Sequence, residues 1–138
     1  MLRSEMHNPD IAERYGILIF LYLNRCGPHR VYIRRQVFVN DKIRVIAEQI
    51  KGISNKASRR VAFAREELAK LNPYLPSRFQ LCLSPRIECK TIIPEKCKVM
   101  DSKKLPLWLC FENADPNGEN YLAIFKVGDA PCCWTLCV

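Results

Sequence analysis

Pro73 and Pro76 divide the chain into two periodicities, and that division constrains the fold more than any other feature of the sequence. Upstream, apolar residues recur at helical spacing: Val39, Ile43, Ile46 and Ile50 form one stripe, and Val61, Ala64, Leu68 and Leu71 a second. Downstream, Phe79, Leu81 and Leu83 alternate with Gln80, Cys82 and Ser84, which is the period of a strand with one buried face. A run of helices followed by a run of strands predicts an α+β chain: N-terminal helices, then an antiparallel sheet.

The first helix has a well-marked start. Asn8 is placed to cap it, Pro9 falls where no amide is needed, and Asp10 opposes the helix dipole. Ile11, Tyr15, Leu18, Ile19 and Tyr22 give it one apolar face, and Ile17, Phe20, Leu21 and Leu23 fill the others, until Cys26-Gly27-Pro28 stops it. A helix apolar nearly all round asks for neighbours on every side, and this chain offers too few. Residues 31–39 read two ways, because Val31, Ile33, Val37 and Val39 alternate like a strand just before the helical stripe begins. Gly52 interrupts, and Ser54 is a candidate cap for the next helix, which Asn72-Pro73 ends.

In the second half, Thr91-Ile92-Ile93 and Cys97 to Met100 are short strand candidates on either side of Pro94. Leu107 to Phe111 is a continuous apolar strand, Asp115-Pro116-Asn117-Gly118 carries a type I turn signature, and Tyr121 to Val127 returns as the partner strand.

Charge is unevenly placed. Residues 1–80 hold 15 Lys and Arg against 7 Asp and Glu, whereas residues 81–138 hold 7 against 7. The basic half suits a solvated helical face first, and an anionic membrane surface, nucleic acid or acidic partner second. The eight cysteines include no Cys-x-x-Cys, and the only histidines are His7 and His29, which argues against a zinc site. Scattered cysteines and the absence of an N-terminal signal-peptide pattern lead to an expectation of reduced, cytoplasmic thiols. The nine-residue apolar run Tyr15–Leu23 is too short for a bilayer that takes about 20 residues.

The chemistry concentrates between Cys97 and Trp108. Ser102, Lys103 and Lys104 sit at a turn between apolar runs, a place where polyanionic phosphate can be held, and Trp108 follows as a flat wall for a base. Lys126 interrupts the apolar strand Tyr121–Val127 on the face shared by Leu122 and Ile124. An isolated strand lysine usually marks an exposed sheet edge; the alternative is a bound anion, since a buried uncompensated charge is costly. The hairpin link to Trp108 favours the anion.

Glu95-Lys96-Cys97-Lys98-Val99-Met100-Asp101-Ser102-Lys103-Lys104-Leu105-Pro106-Leu107-Trp108-Leu109 resembles the phosphate-binding loop and following strand of class I phosphatidylinositol 3-kinase catalytic subunits, the beta and gamma isoforms in particular. Ala114-Asp115-Pro116 and Ile124-Phe125-Lys126-Val127-Gly128-Asp129 extend the resemblance, and Leu2 to His7 with the helix after it resembles the end of the helical domain. Leu105 departs from it, standing where the family usually carries a basic residue or methionine. The resemblance implies four segments: 1–29 as the end of the helical domain, 30–74 as linking helices, 75–129 as the kinase N-lobe sheet, and 130–138 as a tail unlike the family.

By position, the resemblance implies an ATP site with Met100, Trp108, Pro106 and Ile124 around the adenine. Ser102 and Lys104 would meet the outer phosphates with Lys103 assisting, and Lys126 the inner ones. It implies ATP-dependent phosphorylation of the 3-hydroxyl of phosphoinositides in the intact family, with Mg, a phosphoinositide membrane and a regulatory subunit as partners, and a cytoplasmic, membrane-peripheral location. The catalytic loop, its base and the metal-binding aspartate have no counterpart in these 138 residues, so the chain by itself is expected to be inactive, with no catalytic or metal-ligating residue assigned. A non-catalytic interaction module or decoy is the second reading, and a basic membrane- or nucleic-acid-surface binder the third; no nucleic acid is expected under the first.

Overall fold

The computed structural model describes residues 8–53 and 56–127, together with the backbone of 133–137. Asn8 accepts the Asp10 amide on its side chain at 3.1 Å, Pro9 takes the first position, and helix α1 runs Pro9–Arg25. Gly27 then turns the chain at φ +52°, in the left-handed region that glycine enters without a Cβ penalty. No α1 residue is buried: Ile17, Phe20, Leu21 and Tyr22 are each more than half exposed. No helix among the described residues is long and apolar enough to cross a membrane.

Helix α2, His29–Lys51, takes in the whole of the ambiguous stretch 31–39, so the alternation there is not a strand. Val39, Ile43, Ile46, Ala47 and Ile50 form its buried stripe, and the residues before Val39 are the outer end of the same helix, where Val31 and Tyr32 face solvent. Helix α3, Ala57–Leu71, buries Ala64, Leu68 and Leu71. Lys56 occupies its N-cap without a side-chain cap bond, and the expected cap Ser54 lies outside the described residues. A turn of 3-10 helix, Asn72–Tyr74, follows.

The sheet is antiparallel throughout. Its strands are β1 (Phe79–Leu81), β2 (Ser84–Ile92), β3 (Lys98–Val99), β4 (Leu107–Asn113), β5 (Tyr121–Lys126) and β6 (Cys133–Cys137). The order across it is β1-β2-β4-β5-β6, with β3 added to β4. β1 stops at Leu81, so Leu83 falls in the turn before β2 and not in the strand its alternation predicts. β2 meets the far end of β4 (Ile92 opposite Phe111) and β3 meets its start (Val99 opposite Leu107). Between them Pro94–Lys96 makes one turn of 3-10 helix; proline has no amide to give a ladder, and the break separates the nine-residue β2 from the two-residue β3.

One core joins the two halves. Ile43, Ile50 and Leu68 from the helices pack with Phe79, Cys89, Leu107, Leu109, Phe111, Ala123 and Phe125 from the sheet. Each large apolar side chain so buried contributes about 1.5–3 kcal/mol before chain entropy is counted. Long polar side chains on the helices reach carbonyls in the sheet half, at or beside strand ends: Gln36 Nε2 donates to Leu81 O at 3.1 Å, Arg65 Nε to Cys97 O at 3.2 Å, and Lys51 Nζ to Val127 O at 3.3 Å.

The β4–β5 connection is the turn that Asp115-Pro116-Asn117-Gly118 predicts. Gly118 N donates to Asp115 O at 3.0 Å, and Asn117 N to the Asp115 carboxylate at 3.0 Å. Asn113 folds its side-chain amide into the space a Cβ on residue 118 would need, held there by Asp115 N at 2.8 Å and Glu119 O at 3.1 Å. A side chain at 118 would have to displace this amide and break both bonds.

Candidate functional site

Alternation along β4 and β5 separates the sheet into two faces. Leu107, Leu109, Phe111, Ala123 and Phe125 point into the core with the helices, and Trp108, Ile124 and Lys126 point the other way. Register then sets these outer residues side by side. Lys98, Trp108 and Ile124 stand opposite one another across β3, β4 and β5. One step further, Met100 N donates to Pro106 O at 2.9 Å, and Lys126 lies just past the Leu107–Phe125 pair on the neighbouring strand. Six residues thus form two adjacent rows on one face: Lys98–Trp108–Ile124, and Met100–Pro106–Lys126.

The loop closes the end of this face. Ser102 N donates to Met100 O at 3.0 Å and Leu105 N to Ser102 O at 2.9 Å, so Ser102–Leu105 is a four-residue turn with Lys103 and Lys104 at its two central positions. Leu105 leaves the turn at φ +44°, where glycine is the usual occupant. Ser102 and Lys103 are exposed and Lys104 is half-buried, at the edge where the turn meets the sheet. Met100, at 38% exposure, and the half-buried Pro106, Trp108 and Ile124 give an apolar floor, and the exposed Lys126 stands beside it.

All eight residues expected from the sequence therefore fall on one face or in the loop that bounds it. Lys126 corrects the simpler expectation for a strand lysine: β5 is not an edge, since Lys126 pairs with Cys133 of β6. Its ammonium reaches solvent from the face of the sheet instead. One residue was missed. Lys98 is exposed and directly opposite Trp108, and a step of two residues back from Met100 along β3 would have found it.

Chemically, this arrangement offers a flat apolar surface with an indole on it and lysines on three sides, from β3, the loop and β5. Such a surface can stack a planar ring and neutralise phosphate, because both contacts are available from one side of the sheet. It does not form a closed pocket on its own. The small cavity bounded by Ala57, Arg60, Val99, Met100, Asp101 and Leu105 is about 10 Å³, room for one water at most, and lies between α3 and the loop.

No family model matches the chain. Among curated proteins it is 47% identical over 128 residues to phosphatidylinositol 3-kinase 2 of Dictyostelium discoideum, a match covering 93% of this chain and 7% of the relative. It is 41% identical over 128 residues to phosphatidylinositol 3-kinase 1 of the same organism, covering 93% and 8%. It is 31% identical over 130 residues to the human phosphatidylinositol 4-phosphate 3-kinase C2 domain-containing subunit beta, covering 94% and 8%. The chain thus spans less than a tenth of the length of these relatives. Over nearly all of its own length it is homologous to one short segment of phosphatidylinositol 3-kinases.

Proposed function

We propose that the chain is the part of a phosphatidylinositol 3-kinase that carries the phosphate-loop half of an ATP site. The observation that carries this reading is the shared face: Met100, Pro106, Trp108, Ile124 and Lys126 lie in adjacent rows, and the Ser102–Leu105 turn bounds them. Helices α1 to α3 then correspond to the end of a helical domain (1–29) and linking helices (30–74), and the sheet from residue 75 to an N-lobe.

In this reading Trp108 and Ile124 support the adenine with Met100 and Pro106 beside them. Lys126 neutralises the inner phosphates, and Ser102 and Lys104 the outer ones, with Lys103 assisting. Phosphoryl transfer asks the protein mainly to orient and to offset charge, and these residues do that from one side. The base and the Mg ligands of the whole kinase are assigned to none of these residues. Phosphorylation of the phosphoinositide 3-hydroxyl, the membrane and a regulatory subunit belong to the intact enzyme. The likeness to beta and gamma class I isoforms rests on residues 95–109, and the reading does not depend on it, since a human C2 domain-containing subunit is also similar over 94% of the chain.

The test is titration of the purified chain with a fluorescent ATP analogue, alongside Lys126→Ala and Trp108→Ala. Weak saturable binding that either substitution abolishes, with no turnover of phosphatidylinositol 4,5-bisphosphate, is the expected result. Binding indifferent to both substitutions would overturn the assignment of the site.

A further inference from the structure

The buried stripe of α3 begins with a charge. Its inward positions are Arg60, Ala64, Leu68 and Leu71, so Arg60 heads the stripe, and not the Val61 that the sequence spacing suggests. Among the described residues Arg60 is the one charged side chain that is buried, at 9% exposure. Its Nε and Nη2 both donate to the Ile53 carbonyl at 3.4 Å, in the connection before α3. A buried guanidinium is costly, and an apolar side chain of similar size would fill the position at less cost. Packing alone therefore does not account for the residue.

What lies against Arg60 is the back of the loop. With Ala57 it faces Val99, Met100, Asp101 and Leu105 across the one-water cavity between α3 and the turn. Leu105 is the residue at φ +44°, and Met100 O and Leu105 N make the backbone bonds to Ser102 that shape the turn. A second arginine of α3 holds the other end of β3, where Arg65 Nε donates to the Cys97 carbonyl at 3.2 Å. Arg60 and Arg65 are about 7.5 Å apart along the helix, and Cys97 and Met100 about 10 Å apart along an extended strand, so the two contacts run side by side. Helix α3 thus lies along β3 as a splint with a guanidinium at each end.

We propose that Arg60 is a positioning residue for the phosphate site: it braces the loop from the helix side of the sheet and so sets where Ser102 and Lys104 stand. This rests on the reading of the loop as the phosphate-holding part of an ATP site. Arg60 itself touches no nucleotide, since Trp108 and Lys126 face the opposite side of the sheet.

The test uses the full 138-residue chain with Arg60→Met, which keeps the bulk and removes the donors, and Arg60→Lys, which keeps a charge. Affinity for a fluorescent ATP analogue is compared with affinity for its nucleoside. Trypsin cleavage after Lys103 and Lys104 is compared with cleavage after Lys90 in β2. Cleavage after Lys90 requires the sheet to open, so it reports the global unfolding that a merely structural role would move. Arg60→Met is expected to lose about tenfold in affinity for the ATP analogue, the scale of one charge-assisted hydrogen bond, with nucleoside affinity unchanged. Loop cleavage should rise relative to cleavage after Lys90, and Arg60→Lys should recover part of both effects. The proposal is overturned if loop and β2 cleavage rise together, if neither changes, or if affinity for analogue and nucleoside falls equally. A parent chain that binds no analogue overturns the ATP reading instead, and the cleavage ratio then decides for or against Arg60 on its own.

Discussion

Asn72 satisfies both backbone groups of Ile92 with one side chain: its Nδ2 donates to the Ile92 carbonyl at 2.9 Å, and its Oδ1 accepts the Ile92 amide at 3.1 Å. Ile92 ends β2, where the register against β4 shifts between Cys89 and Ile92. A shifted ladder leaves backbone groups without a strand partner, and the Asn72 amide stands in for one. It also ties the end of α3 to the sheet on whose far face the candidate site lies.

Asn72→Ala is therefore expected to destabilise the chain by about 1–3 kcal/mol, because the amide of a residue only 1% exposed loses its partner and its carbonyl keeps only the long bond from the Thr91 hydroxyl at 3.4 Å. Asn72→Asp keeps the acceptor and loses the donor, so it should fall between alanine and the parent. Urea unfolding of the three proteins checks the order. An alanine variant as stable as the parent would show that water replaces the clamp without cost.

Leu105 gives a prediction that runs against apolar burial. At φ +44° an L-residue pays roughly 1–2 kcal/mol, while Leu105 also packs partly against the core. Glycine relieves the first term and forfeits the second, so Leu105→Gly should stay within about 1 kcal/mol of the parent. Leu105→Val keeps more apolar surface but places a β-branched residue at positive φ, and should be the less stable of the two. Denaturant midpoints decide this; valine the more stable would mean the turn relaxes out of the left-handed region.

The buried thiols predict sensitivity to alkali. Burial pushes Cys89 up to about 12 and Cys97 up to about 11, and raises Cys110 as well. Below about pH 7.5 these thiols are protonated in both the folded and the unfolded chain and contribute nothing to the pH dependence. Above it the unfolded chain releases its protons first, so the folded state loses stability from about pH 8 upward, until the folded thiols ionise as well. Urea midpoints should fall between pH 8.5 and 10.5, less steeply in Cys89→Ala. Site-resolved alkylation in native buffer should label Cys26 and Cys82 well before Cys89, Cys97 and Cys110.

What was legible beforehand follows from where burial and period agree. Val39, Ile43, Ile46 and Ile50 announce their helix because each is buried on one stripe. Residues 31–38 do not, because that end of the helix has Val31, Tyr32 and Phe38 in solvent and no buried face to impose a period. The β4–β5 hairpin is readable from its turn, and with it the common face of Trp108, Ile124 and Lys126. Residues 130–138 read as a tail unlike the family and not as a strand, so the pairing of β6 with β5, and with it the inner position of Lys126, was not readable. Lys98 was hidden for a different reason: β3 is two residues long, and its face emerges only once it is paired with β4.

Helix α1 supplies the last prediction. It is 17 residues long, is capped by Asn8, and has no buried residue, yet Ile17, Leu18, Phe20, Leu21 and Tyr22 are 54%, 49%, 63%, 52% and 56% exposed. Exposed side chains of this size contribute little to folding and much to association, since apolar area already in water has nothing to lose on unfolding. Phe20→Glu with Leu21→Lys should therefore leave the urea midpoint within about 0.5 kcal/mol of the parent, by the usual cost of a surface substitution. The same pair should sharply reduce the fluorescence of a bound apolar dye and the tendency to aggregate. If instead the double variant unfolds in markedly less urea, α1 is held by contacts its exposure does not show. If dye binding is unchanged, the apolar surface that binds it lies elsewhere.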